Sequence, residues 1–234
     1  HASLTSFSKK YTKTTCEHEV VSKHRCVVVV QQAFSINFSH FMVEVLPKLV
    51  HAISNREVIA ELQQDNCEIL LYRTSFAVKY VEVLKIPELQ VLWYNPCKVY
   101  RSDRILVFNP LPREHFLRES ANYVRNYVAI VHPAQGSGSP SAKRALIFES
   151  RELSVDTTQR GRFFVITNVK RVRGFLQKAA ALANTELVEY IDFHKWTLRD
   201  TIDLYRRAEE IVALHGAGCM NALYAPACTR FLEI

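Results

Sequence analysis

Short apolar runs that do not alternate with polar residues recur along this chain: CVVVV at 26–30, CEILLY at 67–72, RALIFES at 144–150 and IVAL at 211–214. A strand of that kind fits a sheet covered on both faces, because neither side of it can face water cheaply. QVLWY, RILVF, ELVEYI and RFLEI read as further strands. Between them the apolar spacing changes to three and four residues. Phe41, Val45, Leu49 and Ala52 trace one helix from about His40, with Ser39 as its N-cap. SFAVKYVEVL reads as another helix. Val169, Val172, Leu176, Ala179, Ala180 and Ala183 form a third stripe, closed by Asn184. TLRD at 197–200 has capping-box spacing ahead of TIDLYRRAEE. Strand and helix in alternation predict an α/β fold of parallel sheets with helices on their faces.

The richest concentration of Pro, Gly and Ser, HPAQGSGSPSAKR at 132–144, divides this pattern. It places a first Rossmann-like domain at 1–132, a linker at 133–143 and a second domain at 144–234. The chain opens without Met and stops after the strand-like RFLEI, so it reads as a piece of a longer protein with the second domain incomplete. No stretch is apolar enough to span a membrane, and any membrane attachment is expected only through an N-terminal anchor outside this chain. The net charge of +7 is concentrated: residues 143–178 hold nine Lys/Arg against three acidic residues. Without a nucleic-acid-binding signature, no nucleic acid partner is expected, and the cluster suits a small polyanion such as a nucleotide diphosphate.

Two of the six glycines fall in HGAG, directly after IVAL. Ligands of open α/β sheets bind at the carboxyl ends of strands. Glycine there permits positive φ and lets backbone N–H groups approach an anion, helped by the N-terminus of a following helix. His215, Gly216, Ala217 and Gly218 therefore form a candidate anion site, with Asn221 one turn further on. The loop is neither a Walker A motif nor a GxGxxG fingerprint.

NFSHFMVEVLPKL at 37–49 and EEIVALHGAGCMNALYAPACTRFLEI at 209–234, with RILVFNP and ALIFESR between them in order, resemble the signatures of glycosyltransferase family 61. That family includes transferases of O-linked GlcNAc and plant xylosyl- and arabinosyltransferases. The resemblance implies a GT-B fold of two facing Rossmann-like domains. It also implies inverting transfer from a UDP-sugar co-substrate (GlcNAc or a pentose) to a protein or glycan hydroxyl. No metal cofactor is required, and the setting is the Golgi or endoplasmic reticulum lumen of the secretory pathway. By the same resemblance the donor contacts are Arg151, an Arg matched ambiguously by Arg160 or Arg162, Asn168, the HGAG turn, Asn221, and Glu233 against the ribose. Arg162 is taken as the second Arg. Cys219 and Met220 stand where Leu and Thr are more usual. A catalytically silent nucleotide- or glycan-binding relative is the alternative.

Inverting transfer needs a general base for the acceptor hydroxyl. His40, Glu44, Lys48 and His51 follow one another at spacings of four, four and three, a single polar line on an otherwise apolar helix. His40 is the candidate base and Glu44 its partner. Pro47 removes one backbone hydrogen bond and is expected to bend the helix. Among the six cysteines, the stretch CEHEVVSKHRC leaves open a Cys16–Cys26 disulfide, buried free thiols, or a zinc set with His18 and His24.

Overall fold

The computed structural model describes residues 20–31, 35–86, 90–108, 113–131, 133, 143–150, 168–190 and 196–234. The fold is α/β, and the chain divides into two compact units, residues 1–131 and 132–234. Each unit holds its own four-stranded, wholly parallel sheet.

In the first unit β1 (Val20–Val29) leads to α1 (Phe38–His40), which runs through a π-helical turn (Phe41–Val45) into α2 (Leu46–Ser54). There follow α3 (Arg56–Gln64), β2 (Cys67–Tyr72), α4 (Ser75–Val83), β3 (Val91–Tyr94), β4 (Lys98–Val107) and α5 (Arg113–Val131). The strand order is β3-β2-β1-β4. The chain thus steps outward from β1 and then returns to its other side, which makes the carboxyl ends of β1 and β4 the topological switch point. Val27 and Val28 of β1 are buried with Ile69 and Leu71 of β2, and the helices cover them with Phe41, Leu46, Leu49 and Tyr80.

The cysteine expectation is corrected here. Cys26 is bonded to Cys67, not to Cys16: the two are register partners on β1 and β2, with their Cα atoms 4.4 Å apart. Pairing across a parallel ladder depends on register, which local spacing does not encode. Cys97 is also disulfide-bonded, while Cys219 and Cys228 are free thiols. With Cys26 oxidised, the zinc set loses a ligand; Cys16 and His18 lie outside the described residues. His24 instead bonds Glu68 through Nδ1 and Ser22 through Nε2.

The second unit runs β5 (Ala145–Glu149), α6 (Val169–Leu182), β6 (Glu186–Glu189), α7 (Leu198–Arg206), β7 (Ala208–Ala213), a 3-10 helix (Ala217–Tyr224) and β8 (Arg230–Glu233). The order β6-β5-β7-β8 puts the switch point between β5 and β7. All five residues of β5 are buried, as a central strand requires. Leu146, Phe148 and Val212 pack against Leu176 and Ala180 of α6, flanked by Val169, Val172 and Ala179, which is the predicted stripe up to Ala180; Ala183, also expected in it, is exposed. Asn184 ends that helix at φ 51°. Thr197 caps α7 as its sequence predicts, accepting from Asp200 N at 3.0 Å while its hydroxyl donates to the Asp200 carboxylate at 2.5 Å. Among the described residues no helix is long and apolar enough to cross a membrane.

Candidate functional site

Two groups of side chains stand at the carboxyl ends of the two sheets. In the first unit the helix after β1 is capped by Asn37, whose Oδ1 accepts from Ser39 N at 3.0 Å and Ser39 Oγ at 2.8 Å. The cap is therefore two residues earlier than expected at Ser39, and it fixes the first turn so that His40 lies on it. His40 Nδ1 and Glu44 Oε1 are 3.0 Å apart, both half-buried. This brings together the two residues expected to handle the proton.

The rest of the expected polar line does not hold. Leu46 N bonds Phe41 O, the five-residue step of a π-helix, and the irregularity expected at Pro47 is this wide turn just before it. A π-turn holds one residue more than an α-turn, so positions beyond it fall out of phase with those ahead of it. Lys48 consequently lies in the core, only 7% exposed. Burial pulls its ammonium below the usual lysine range, opposed by the charge of Glu44. His51 is exposed and packs instead on Phe108 and Tyr123.

In the second unit β7 delivers its chain to the glycine turn. Gly216 has φ 152° and ψ −173°, a region that only glycine occupies without strain. The helix expected after it is a 3-10 helix, Ala217–Tyr224. The turn is pinned on both sides: His215 N donates to Ile234 O at 3.2 Å, Ile234 N to Ala213 O at 2.9 Å, and Cys219 N to Gly216 O at 3.1 Å. The His215 imidazole bonds Glu233 Oε1 through Nδ1. Glu233, expected on a ribose, thus reaches the same turn from the end of β8. Gly218 and Asn221, in the 3-10 helix that follows, are buried. The Cys219 thiol donates to Leu214 O at 3.3 Å, and burial pushes its pKa up, so it stays an unreactive protonated thiol.

Under the turn lies a group that sequence reasoning missed. Glu149, at the end of β5, is 3% exposed and accepts a hydrogen bond from the Tyr205 hydroxyl of α7. Tyr205 also bonds the Asn221 side chain, and burial followed by the nearby Glu149 charge holds its phenol well above the usual range. The three tie the end of β5 to the 3-10 helix. Neither residue stood out earlier, because one ends an ordinary buried strand and the other belongs to an amphipathic helix.

Of the basic cluster, Arg151, Arg160 and Arg162 lie outside the described residues. Arg173 grips Glu189 with three hydrogen bonds of 2.7–3.0 Å, and Ser150 Oγ donates to the same carboxylate at 3.2 Å. Its charge is thus engaged within the fold. Asn168 occupies the N-cap position of α6 without a side-chain capping hydrogen bond, and it is exposed.

A glycine-only turn with an imidazole beside it thus stands at the switch point of a parallel sheet, the place where open α/β sheets bind their ligands. Residues 38–232 match the family model for Glycosyltransferase 61. The chain belongs to glycosyltransferase family 61, a family of transferases that use a sugar donor and an acceptor. No curated protein matches it.

Proposed function

We propose that the protein is an inverting glycosyltransferase of GT-B architecture that moves a sugar, GlcNAc or a pentose, from a UDP-sugar to a hydroxyl of a protein or glycan. The observation that carries this reading is the turn at the β5/β7 switch point, where the His215 imidazole meets Glu233 beside the backbone of Gly216, Ala217 and Gly218, with Asn221 buried in the helix that follows. Backbone N–H groups around a glycine-only turn suit a diphosphate, and His215, steadied by Glu233, adds a further donor. Arg151, Arg162 and Asn168 are assigned to the same donor by family resemblance.

The reaction is a single displacement. The acceptor oxygen attacks the anomeric carbon as the bond from that carbon to the diphosphate oxygen breaks. The electron pair leaves on UDP, and the hydroxyl proton passes to His40. Glu44, 3.0 Å from His40 Nδ1, orients the imidazole and balances the positive charge it gains. The turn and His215 stabilise the charge arriving on the leaving group, so no metal is needed in this scheme. The Cys26–Cys67 disulfide suits an oxidising compartment, in keeping with the lumen of the Golgi or endoplasmic reticulum.

The test is release of UDP from a panel of UDP-sugars, with and without acceptor alcohols, on the full-length protein. Acceptor-dependent UDP release with inverted product stereochemistry, unaffected by EDTA, is expected. Binding of UDP without any turnover would replace the transferase with a silent nucleotide-binding relative.

A further inference from the structure

An edge strand presents a row of unpaired backbone N–H and C=O groups, and proteins blunt such edges by shortening, bulging or charging them. Among the described residues the two sheets are bordered by β3, β6 and β8, each of 4 residues, and by β4, of 10 residues. β4 thus departs from the other three. It keeps one register with β1 from Val20↔Lys98 to Val29↔Val107, without a bulge, and it holds neither proline nor glycine. Its far side meets no described strand. Along it Arg101, Asp103, Ile105 and Val107 alternate onto one face, and all are exposed, Ile105 by 57% and Val107 by 68%. A row of this length and flatness is the part of the first sheet best suited to accept a further strand.

A second copy of this chain fits that row by charge. Two copies of an edge strand extend one sheet about a two-fold axis normal to it, which runs the strands antiparallel and keeps every residue on its own face. Residues directly opposite must share a face, so the axis passes beside a residue that meets its own copy. Placed at Ser102, it sets Arg101 of each strand against Asp103 of the other, and Val99 against Ile105. Two ion pairs and two apolar pairs then lie on one face. Moved one residue either way, the axis sets Arg101 against Arg101 or Asp103 against Asp103, like charges directly opposite. The charges therefore select one register, and they select a partner that carries both signs two residues apart. We propose that β4 is a dimerisation edge, at which two copies join their first sheets, each contributing four strands, into one continuous sheet centred on Ser102. A dimer of this kind is independent of the transferase reading.

The experiment is sedimentation velocity of the full-length protein over a range of concentrations. Wild type is expected to show a monomer–dimer equilibrium. Because the axis repeats every contact, Arg101→Asp alone and Asp103→Arg alone each create two like-charge pairs. Each is expected to raise the dimer Kd about tenfold or more. The double variant Arg101→Asp/Asp103→Arg exchanges the signs, and its Kd is expected to return to within about threefold of wild type. Both positions are exposed, so Tm is expected to hold within about 3 °C in every variant. A monomer at every concentration overturns the proposal. So does a dimer that ignores the single substitutions, which would place the contact on another surface, and so does a double variant as weak as the singles. If a charge variant fails to fold, Ile105→Lys takes its place: a Kd raised about tenfold supports the edge, and an unchanged Kd overturns it.

Discussion

The two units put a histidine beside a carboxylate at the carboxyl end of a parallel sheet, and they build the pair in opposite ways. In the first unit His40 and Glu44 belong to one helix and are four residues apart. Their partnership depends on side-chain spacing alone, and the backbone beneath them is helical. In the second unit His215 and Glu233 come from different elements, the turn after β7 and the end of β8. That pairing depends on a backbone that only glycine adopts at position 216 and on the hydrogen bonds between residues 213, 215 and 234. The difference follows the tasks proposed for them. A base takes one proton during the step and needs only a local partner. A diphosphate cradle works by rigid placement of donors, and rigidity is encoded in the main chain.

Removing each imidazole is the most direct way to break the comparison. His40→Ala is expected to lower kcat by about 10²–10⁴-fold, the range for loss of a general base, with little change in the donor KM. His215→Ala should act mainly on the donor KM. Steady-state kinetics on both variants checks this, and equal effects on the same parameter would show that the two pairs do not divide the work as proposed.

The units differ also in how they are tied. Cys26–Cys67 spans a sequence separation of 41 in the first sheet, for which chain entropy gives about 4 kcal/mol. No disulfide joins the described strands of the second sheet, whose Cys219 and Cys228 are free. Replacing Cys26 and Cys67 with alanine should therefore lower the unfolding free energy by about 2–4 kcal/mol in urea titrations. Amide exchange should accelerate in β1 and β2 more than in β5 and β7. Uniform acceleration would mean that the two units unfold as one.

At the turn itself, Gly216→Ala forces a side chain into a region that costs about 1–3 kcal/mol. If that cost falls on the bound state, the donor KM rises by about tenfold to a hundredfold. Thermal stability of the apo protein and isothermal titration with UDP separate the alternatives. A donor affinity unchanged in this variant would remove the turn from the donor site.

Much of this was legible in the sequence where a single segment carries the signal. Unalternating strands, the stripe from Val169 to Ala180, the Thr197 capping box and the break between IVAL and HGAG all depend on neighbours within a few positions. What escaped depends on partners far along the chain. The Cys26–Cys67 bond needs the register of β1 on β2. The buried Glu149–Tyr205 contact spans 56 residues between a strand end and a helix. Asn37 was overlooked as the cap because Ser39 offers an equally good capping oxygen. The polar line failed at Lys48 because an α-helical period was carried through a π-turn, which no residue type announces.

The smallest expected effect is the opposite response to alkali of two buried groups, one in each unit. Tyr190 is pushed up to about 12, by burial first, with its hydroxyl 2.9 Å from Thr201 Oγ1. In the unfolded chain that phenol ionises near its ordinary value of 10. Below that value it is neutral in both states and its contribution is complete; from 10 to about 12 the unfolded state alone loses the proton, so stability falls. Half a pH unit above 10 the loss from this one group is about 0.8 kcal/mol. Tyr205, raised further, adds to it in the same unit. In the first unit the buried Lys48 acts the other way: its pKa is lowered from 10.5, so the folded state releases the proton first and stability rises as pH approaches that value. Tyr72, Tyr100 and Tyr127, raised by burial, oppose that rise within the same unit. Urea midpoints measured from pH 8 upward on wild type, Tyr190→Phe and Lys48→Met isolate the two contributions. Tyr190→Phe should flatten the alkaline decline, and Lys48→Met should steepen it while raising stability at neutral pH by relieving a buried charge. A Lys48→Met variant that loses stability at neutral pH would mean that Glu44 needs that ammonium. The base in the first unit would then depend on the core behind its helix as much as the glycine turn depends on Glu149 and Tyr205.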